Sequence, residues 1–401
     1  MDRIAAFCRK QRDWLLDTIE TLARLESPSD DKAAVDRCGA ALAARLEAIG
    51  GRVTRLPQTR RGDHLRAEFS TSIPAGGDGG HQEGRRSAQI LLLGHFDTVW
   101  PVGTLERMPL MRANGRLHGP GVFDMKAGIA IAMLATRALL ETGAPLARRI
   151  VMLWTTDEEV GSGTSRAAIE DEARRSDAVL VLEPSLPGGA LKTSRKGCGE
   201  YELIVHGVAA HAGIDPSKGA SAIHELARQI VRIEQLQELD RGVSVNVGRV
   251  SGGTRTNVIA EEARAVIDVR APAAADAARI DAALRAVTPV DRRTTLSVTG
   301  GIDRPPLERT DKVVGLYRQA QAVAAGLGMR LDEGATGGGS DGNFTAALGV
   351  KTLDGLGAVG DGAHALHEHV DIESLTDRAA LVAGLMMKLS TTGTRRTQGF
   401  R

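Results

Sequence analysis

Three short apolar runs in this chain each pass directly into side chains able to bind a metal or carry a proton. Ile90–Leu93 leads into GHFDTV, with His95 and Asp97. Ile150–Leu153 leads into TTDEEVGSG, with Asp157, Glu158 and Glu159, and Ala178–Leu182 leads into LEP, with Glu183. A fourth motif, GPGVFDMKAG, sets Asp124 just ahead of an apolar helical stretch. In open parallel sheets the crevice beyond the C-terminal ends of the strands is the usual place for a site. One carboxylate there is more often a turn residue or a helix cap, but three such ends and Asp124 together point to a single cluster. Carboxylates converging in a crevice repel and raise one another's pKa unless a cation neutralises them. Mixed His and carboxylate donors with no nearby thiolate suit zinc in a catalytic role, with manganese or cobalt as alternatives. Adjacent Glu158 and Glu159 would point opposite ways along an extended segment, so that one binds metal while the other faces the attacking water as general base.

The elements that must position these groups follow from apolar spacing. Amphipathic helices are expected at about 12–25 and 33–49, the second closed by Gly50 and Gly51. Residues 70–89 are Gly-rich and polar without a period, which reads as an exposed loop or hairpin extension. Helical segments at about 126–141 and 163–174 separate the three apolar runs, an alternation suited to a mainly parallel sheet with helices on both faces. From about 193 the pattern changes to strand (200–207), helix (219–238), two strands (243–250 and 263–270), helix (273–287) and strand (294–299). This βαββαβ order is that of a ferredoxin-like, split βαβ unit. After Pro305–Pro306 come a helix (310–327), a Gly-rich loop (334–342) and a last helix from about 373. The expected organisation is an α/β domain formed by 1–192 and 305–401, with 193–304 inserted as a second domain.

Composition bounds the partners. The 401 residues carry 51 Lys plus Arg against 50 Asp plus Glu, a net charge of +1 that excludes a polyanion-binding surface. Aromatics are 3%, too few for base-stacking platforms. The N-terminus MDRIAAFCRKQRDW has no signal-peptide run, and the longest apolar run, 129–135, is far short of the ~20 residues a bilayer span needs. A cytoplasmic protein with no nucleic-acid or membrane partner is expected, its three cysteines read as buried reduced thiols. Trp14, Trp100 and Trp154 read as packing, and His64, His81, His118, His206 and His224 as surface or core residues.

Taken together, GHFDTV, GPGVFDMKAG, TTDEEVGSG, LEP, HGVAAHAGIDPSKGASAI, GGTRTNVI, TGGGSD and the late HALHE resemble the dizinc aminoacylase and glutamate carboxypeptidase family. That family also includes acetylornithine deacetylase and succinyl-diaminopimelate desuccinylase. The resemblance runs from about 12 to 390, and the DEE and AHAG motifs with their spacing are its most specific parts. It implies two zinc ions per chain: His95 and Glu183 hold one, Glu159 and a late histidine the other, and Asp124 bridges both. The family pattern of histidine, three residues, then glutamate selects His364 over His367 and His369. Glu158 matches the general base, and Asp97 the residue that orients His95. Met125 departs from the aspartate common at that position.

In the family the inserted domain is both lid and dimerisation surface, so the resemblance implies a homodimer. His211 matches a histidine that crosses to the partner subunit's site and supports the oxyanion. Asn257 matches a substrate contact. Arg270 and Arg304 match arginines that lie near substrate carboxylates, a role suited to the guanidinium fork. The implied activity is a zinc-dependent carboxypeptidase releasing a C-terminal, glutamate-like residue from a small peptidyl or N-acyl amide. An N-acyl amino-acid deacylase is the alternative.

Overall fold

Strands that stay apolar on consecutive positions must be covered on both faces. The computed structural model, which describes residues 1–70 and 89–391, shows this arrangement for the three runs. Most of the expected 70–89 loop lies outside the described residues. The chain packs as two units. The first comprises the described residues of 1–193, 309–335 and 340–391; the second comprises Ser194–Glu308 and Thr336–Gly339.

The first unit is built on a six-stranded sheet of β1 (Arg52–Leu56), β2 (His64–Phe69), β3 (Gln89–His95), β4 (Arg149–Thr155), β5 (Ser176–Val181) and β6 (Thr352–Leu353), in the order β1-β2-β4-β3-β5-β6. The last four strands in that order run parallel, whereas β1 and β2 form an antiparallel edge. On one face Leu91, Leu93, Val151 and Leu153 pack with Ile169 and Ala173 of the helix Arg166–Arg174. On the other, Ile90, Leu92, Ile150 and Met152 pack with the helices Arg12–Arg24, Ala127–Glu141 and Ile372–Thr391. Each such buried aliphatic side chain contributes about 1.5–3 kcal/mol.

Register sets the site. His95 is level with Thr155 of β4, and Leu93 with Val181 of β5, so His95, the 157–159 segment and Glu183 all emerge along the C-terminal edge of the parallel strands. The helix Ala127–Glu141 lies hard against that edge. A Cβ on Gly128 would stand 2.0 Å from the Leu182 carbonyl oxygen, so only glycine fits beside the residue preceding Glu183. Asp124 sits just before this helix on irregular backbone at φ −112° and ψ 93°, and its peptide bond to Met125 is cis.

The second unit is an antiparallel sheet of Ser244–Gly252, Glu262–Ala271, Gly197–His206 and Thr295–Arg304, in that spatial order. The helices Ala222–Glu234 and Ala274–Arg285 share its core, with Leu226, Ile233, Ile280 and Leu284 packed with Tyr201, Leu203, Val205, Ile267 and Val269. The βαββαβ order is therefore the observed one. Among the described residues no helix is long and apolar enough to cross a membrane.

Candidate metal centre

Around Asp124 the side chains form two sets, one on each carboxylate oxygen. Asp124 Oδ1 is 3.3 Å from His95 Nε2, which is also 3.5 Å from Glu183 Oε1. Asp124 Oδ2 is 3.5 Å from His364 Nε2, which is 3.1 Å from Glu159 Oε2. Donor atoms of His95, Asp124 and Glu159 lie within 4.8 Å of one another, as do those of His95, Glu158 and Glu183. It is His364 that reaches the cluster, from φ +61°, a left-handed conformation that few non-glycine residues adopt. His369 instead packs beside His118, with ring centroids 5.2 Å apart.

The residues behind the cluster fix its orientation. His95 Nδ1 lies 3.0 Å from the Asp97 carbonyl oxygen and 3.4 Å from Asp97 Oδ1, which directs Nε2 toward Asp124 and Glu183. Asp97, itself fully buried, accepts from Ser29 Oγ at 2.7 Å and from the Glu159 N–H at 3.3 Å. Glu158 and Glu159 do not lie on an extended segment, as their sequence reading supposed. They occupy one 3₁₀ turn, Glu158–Val160, and both side chains bear on the cluster. The turn closes through Asp157, whose carboxylate accepts from the Thr164 N–H and hydroxyl at 2.6 and 2.7 Å. It closes also through Asp341, which accepts from Thr155 Oγ1 at 3.0 Å and from Ser162 Oγ.

These supports were missed in the sequence. Asp341 belongs to the GGGSD motif, but nothing in that motif says it reaches the DEE turn. His64 is not an isolated core histidine: it bridges Thr156 Oγ1 and Thr164 Oγ1 at 2.9 and 3.1 Å, and burial lowers its pKa. Trp100 likewise does more than pack, since its indole donates to Glu368 at 2.8 Å.

The electrostatics are those of a cation site. Burial alone would depress the His95 imidazole, yet its contacts with Asp124, Asp97 and Glu183 hold it well above the ordinary value. Asp124 and Glu159 push His364 up to about 10. Burial raises Glu159, with Asp124 adding to the rise. Asp124 goes the other way: burial would raise it, but His364 and His95 hold it far below the usual carboxylate range. Glu159 Oε1 is buried with no hydrogen-bond partner, as suits an oxygen reserved for a cation. The donor set thus fits two divalent ions, one that His95, Glu183 and Asp124 would hold and one that His364, Glu159 and Asp124 would hold. Because Asp124 and Glu159 favour the protonated His364 ring when no metal is bound, an ion binding at Nε2 must displace that proton. Affinity at this half-site should fall about tenfold per unit drop in pH. Metal titrations in buffers of different ionisation enthalpy check this through the protons released.

In the second unit His211 is exposed, and its Nδ1 accepts the N–H groups of Gly213 and Ile214, each at 3.1 Å. The neutral ring then carries its proton on Nε2, which is left free to donate. The neighbouring segment is tied to it: the Ala212 N–H donates to the Asn257 carbonyl at 2.9 Å. Cys198 pairs in register with Arg270 on one side and Arg304 on the other, so the three side chains form a row across the sheet. Arg270 Nε is 3.0 and 3.1 Å from the Asp268 carboxylate oxygens, and its Nη1 is 2.6 Å from Cys198 Sγ. Arg304 is buried rather than a solvated strand end. Cys8 and Cys38 are buried, but Cys198 is only partly so, because strand alternation turns it away from the helices. Reading all three as buried thiols therefore fails for Cys198.

Known proteins resemble the chain over most of its length. Residues 91–388 match the model for peptidase family M20/M25/M40. The chain is 29% identical over 393 residues to carboxypeptidase G2 of Pseudomonas sp. (strain RS-16), covering 94% of this chain and 89% of that one. It is 29% identical over 384 residues to succinyl-diaminopimelate desuccinylase of Leptothrix cholodnii, covering 90% and 94%. Among solved structures it resembles aminopeptidase PepT from Bacillus cereus, with TM-score 0.76 at 22% identity over 95% of this chain and 99% of that one. It also resembles YXEP of Bacillus subtilis, described as a dinuclear metal-binding peptidase of the M20 family, with TM-score 0.71 at 16% identity over 96% and 99%.

Proposed function

The chain belongs to peptidase family M20/M25/M40, and from that membership we propose that it is a dinuclear zinc carboxypeptidase releasing a C-terminal, glutamate-like residue from a small peptide or N-acyl amide. The observation that carries the reading is the division of donors about Asp124, with His95 and Glu183 on one oxygen and His364 and Glu159 on the other. When bound, a pair of divalent ions would polarise the scissile carbonyl and lower the pKa of the attacking water.

The remaining work falls to the chain's own residues. Glu158, on the 3₁₀ turn beside His95 and Glu183, takes a proton from the attacking water and returns it to the leaving nitrogen. The partner subunit's His211 donates from Nε2 to the oxyanion of the tetrahedral intermediate. Association of two copies through the second unit is supported by the edge strand Ser244–Gly252, whose outer side faces no other strand among the described residues, and by exposed Ile223, Val231 and Val250. A cytoplasmic setting suits three unpaired thiols.

Asn257 contacts the substrate, and the arginines set its preference. Arg270 and Arg304 stand on strands separated by one other, about 10 Å apart by strand spacing, a span that offers one guanidinium to each carboxylate of a terminal glutamate. The similarity to a desuccinylase, at the same identity as to a carboxypeptidase, favours the deacylase as the second reading. Matched substrates ending in Glu and Leu decide between them. Removing the arginine that reads the side-chain carboxylate should lower kcat/KM on the Glu substrate roughly tenfold to hundredfold and spare the Leu substrate. A uniform loss for both arginines, or a wild-type preference for neutral ends, would favour the deacylase.

A further inference from the structure

Glu368 stands four residues after His364 and is fully buried. Its carboxylate gathers four N–H groups. Oε2 accepts from the Trp100 indole at 2.8 Å and the Gly121 backbone at 3.0 Å, and Oε1 from the backbones of Phe123 at 2.9 Å and Asp124 at 3.1 Å. Three of these donors belong to the irregular stretch that carries Asp124. The Glu368 main chain joins the same stretch, its carbonyl accepting from Gly119 at 3.3 Å, and the next residue, His369, pairs in register with His118.

The two half-sites differ in what holds them. His95 ends a fully buried strand, and Glu183 follows another, so the sheet fixes both. His364 belongs to no strand or helix, its side chain is 51% exposed, and its backbone is left-handed. Its distance from Asp124 must therefore be set by whatever ties its loop to the Asp124 stretch. We propose that Glu368 is that tie: a positioning residue that locks the Asp124 stretch to the His364 loop and so fixes the half-site of His364, Glu159 and Asp124 Oδ2. The proposal rests on the dinuclear reading above.

The test compares wild type, Glu368→Gln and Trp100→Phe, each stripped of metal and titrated with Zn²⁺ by calorimetry, with thermal unfolding followed with and without zinc. Glutamine puts an NH₂ group against two of the four donors, whereas Trp100→Phe removes one donor and touches no metal ligand. In Glu368→Gln one zinc site should weaken roughly 10–100-fold while the other keeps its affinity. Trp100→Phe should weaken the same site less, and it carries the test alone if Glu368→Gln does not fold. In both variants the gain in unfolding midpoint on adding zinc should shrink. Two zinc ions bound with wild-type affinities, with only the metal-free midpoint lowered, would show a merely structural role and overturn the proposal alone. A wild type that binds fewer than two zinc ions would overturn the dinuclear reading and the proposal with it.

Discussion

Replacing Glu158 with glutamine is expected to leave metal content unchanged and to slow turnover roughly 10²–10⁴-fold, the usual worth of a general base. Replacing its neighbour Glu159 in the same way should deplete metal first. The difference follows from position within one turn. Glu159 Oε2 lies 3.1 Å from His364 Nε2, its N–H is tied to Asp97, and its other oxygen is buried without a partner. Converting that group to an amide removes the negative charge that balances an ion. Glu158, half-buried like its neighbour, shares its cluster with His95 and Glu183, so the amide keeps the shape of the site but cannot take a proton. Elemental analysis and kcat on the two purified variants separate the roles. A metal-depleted Glu158→Gln protein would reverse them.

The second large effect is a recovery. His211→Ala removes one oxyanion donor and should cost roughly 10²–10³-fold in kcat, and Glu158→Gln is crippled as above. If each site uses the partner subunit's His211, a mixed dimer holds one site with both groups intact and one with neither. Equal mixing makes half of the dimers mixed, so activity should return to about a quarter of wild type. The exposed His211 ring, with Nδ1 already occupied by two backbone N–H groups, presents the proton that such a role needs. No recovery after verified subunit exchange would place the oxyanion donor elsewhere.

The parts of the site that could be read from sequence are those in which local chemistry and chain periodicity coincide. His95 and Glu183 were legible because an apolar strand buried on both faces leaves a polar residue only at its end. The βαββαβ unit was legible because its strands alternate and its helices carry Ile and Leu at helical spacing. The helix Asp2–Lys10, the mostly exposed edge strand Arg52–Leu56 and its neighbour His64–Phe69 were not singled out, although HLRAEF alternates polar and apolar residues as a strand should. The 3₁₀ turn at Glu158 was misread as extended because its cause lies elsewhere, in Thr164, Ser162 and Asp341. Glu368 carried only a spacing from His364, and its partners lie more than two hundred residues earlier. Likewise, Thr336–Gly339 pack with the second unit although they lie in the same Gly-rich loop as Asp341. Long-range hydrogen bonds of this kind leave no period.

The decisive quantity is the number of metal ions that the chain binds with and without the Asp124 carboxylate. Metal-free wild type reconstituted with zinc and desalted should carry about two ions per chain, and Glu183→Gln or His364→Ala about one. Asp124→Asn, which alters the carboxylate common to both half-sites, should lose both. An Asp124→Asn protein that still carries two ions, or a wild type fully active with one, would contradict the bridged centre.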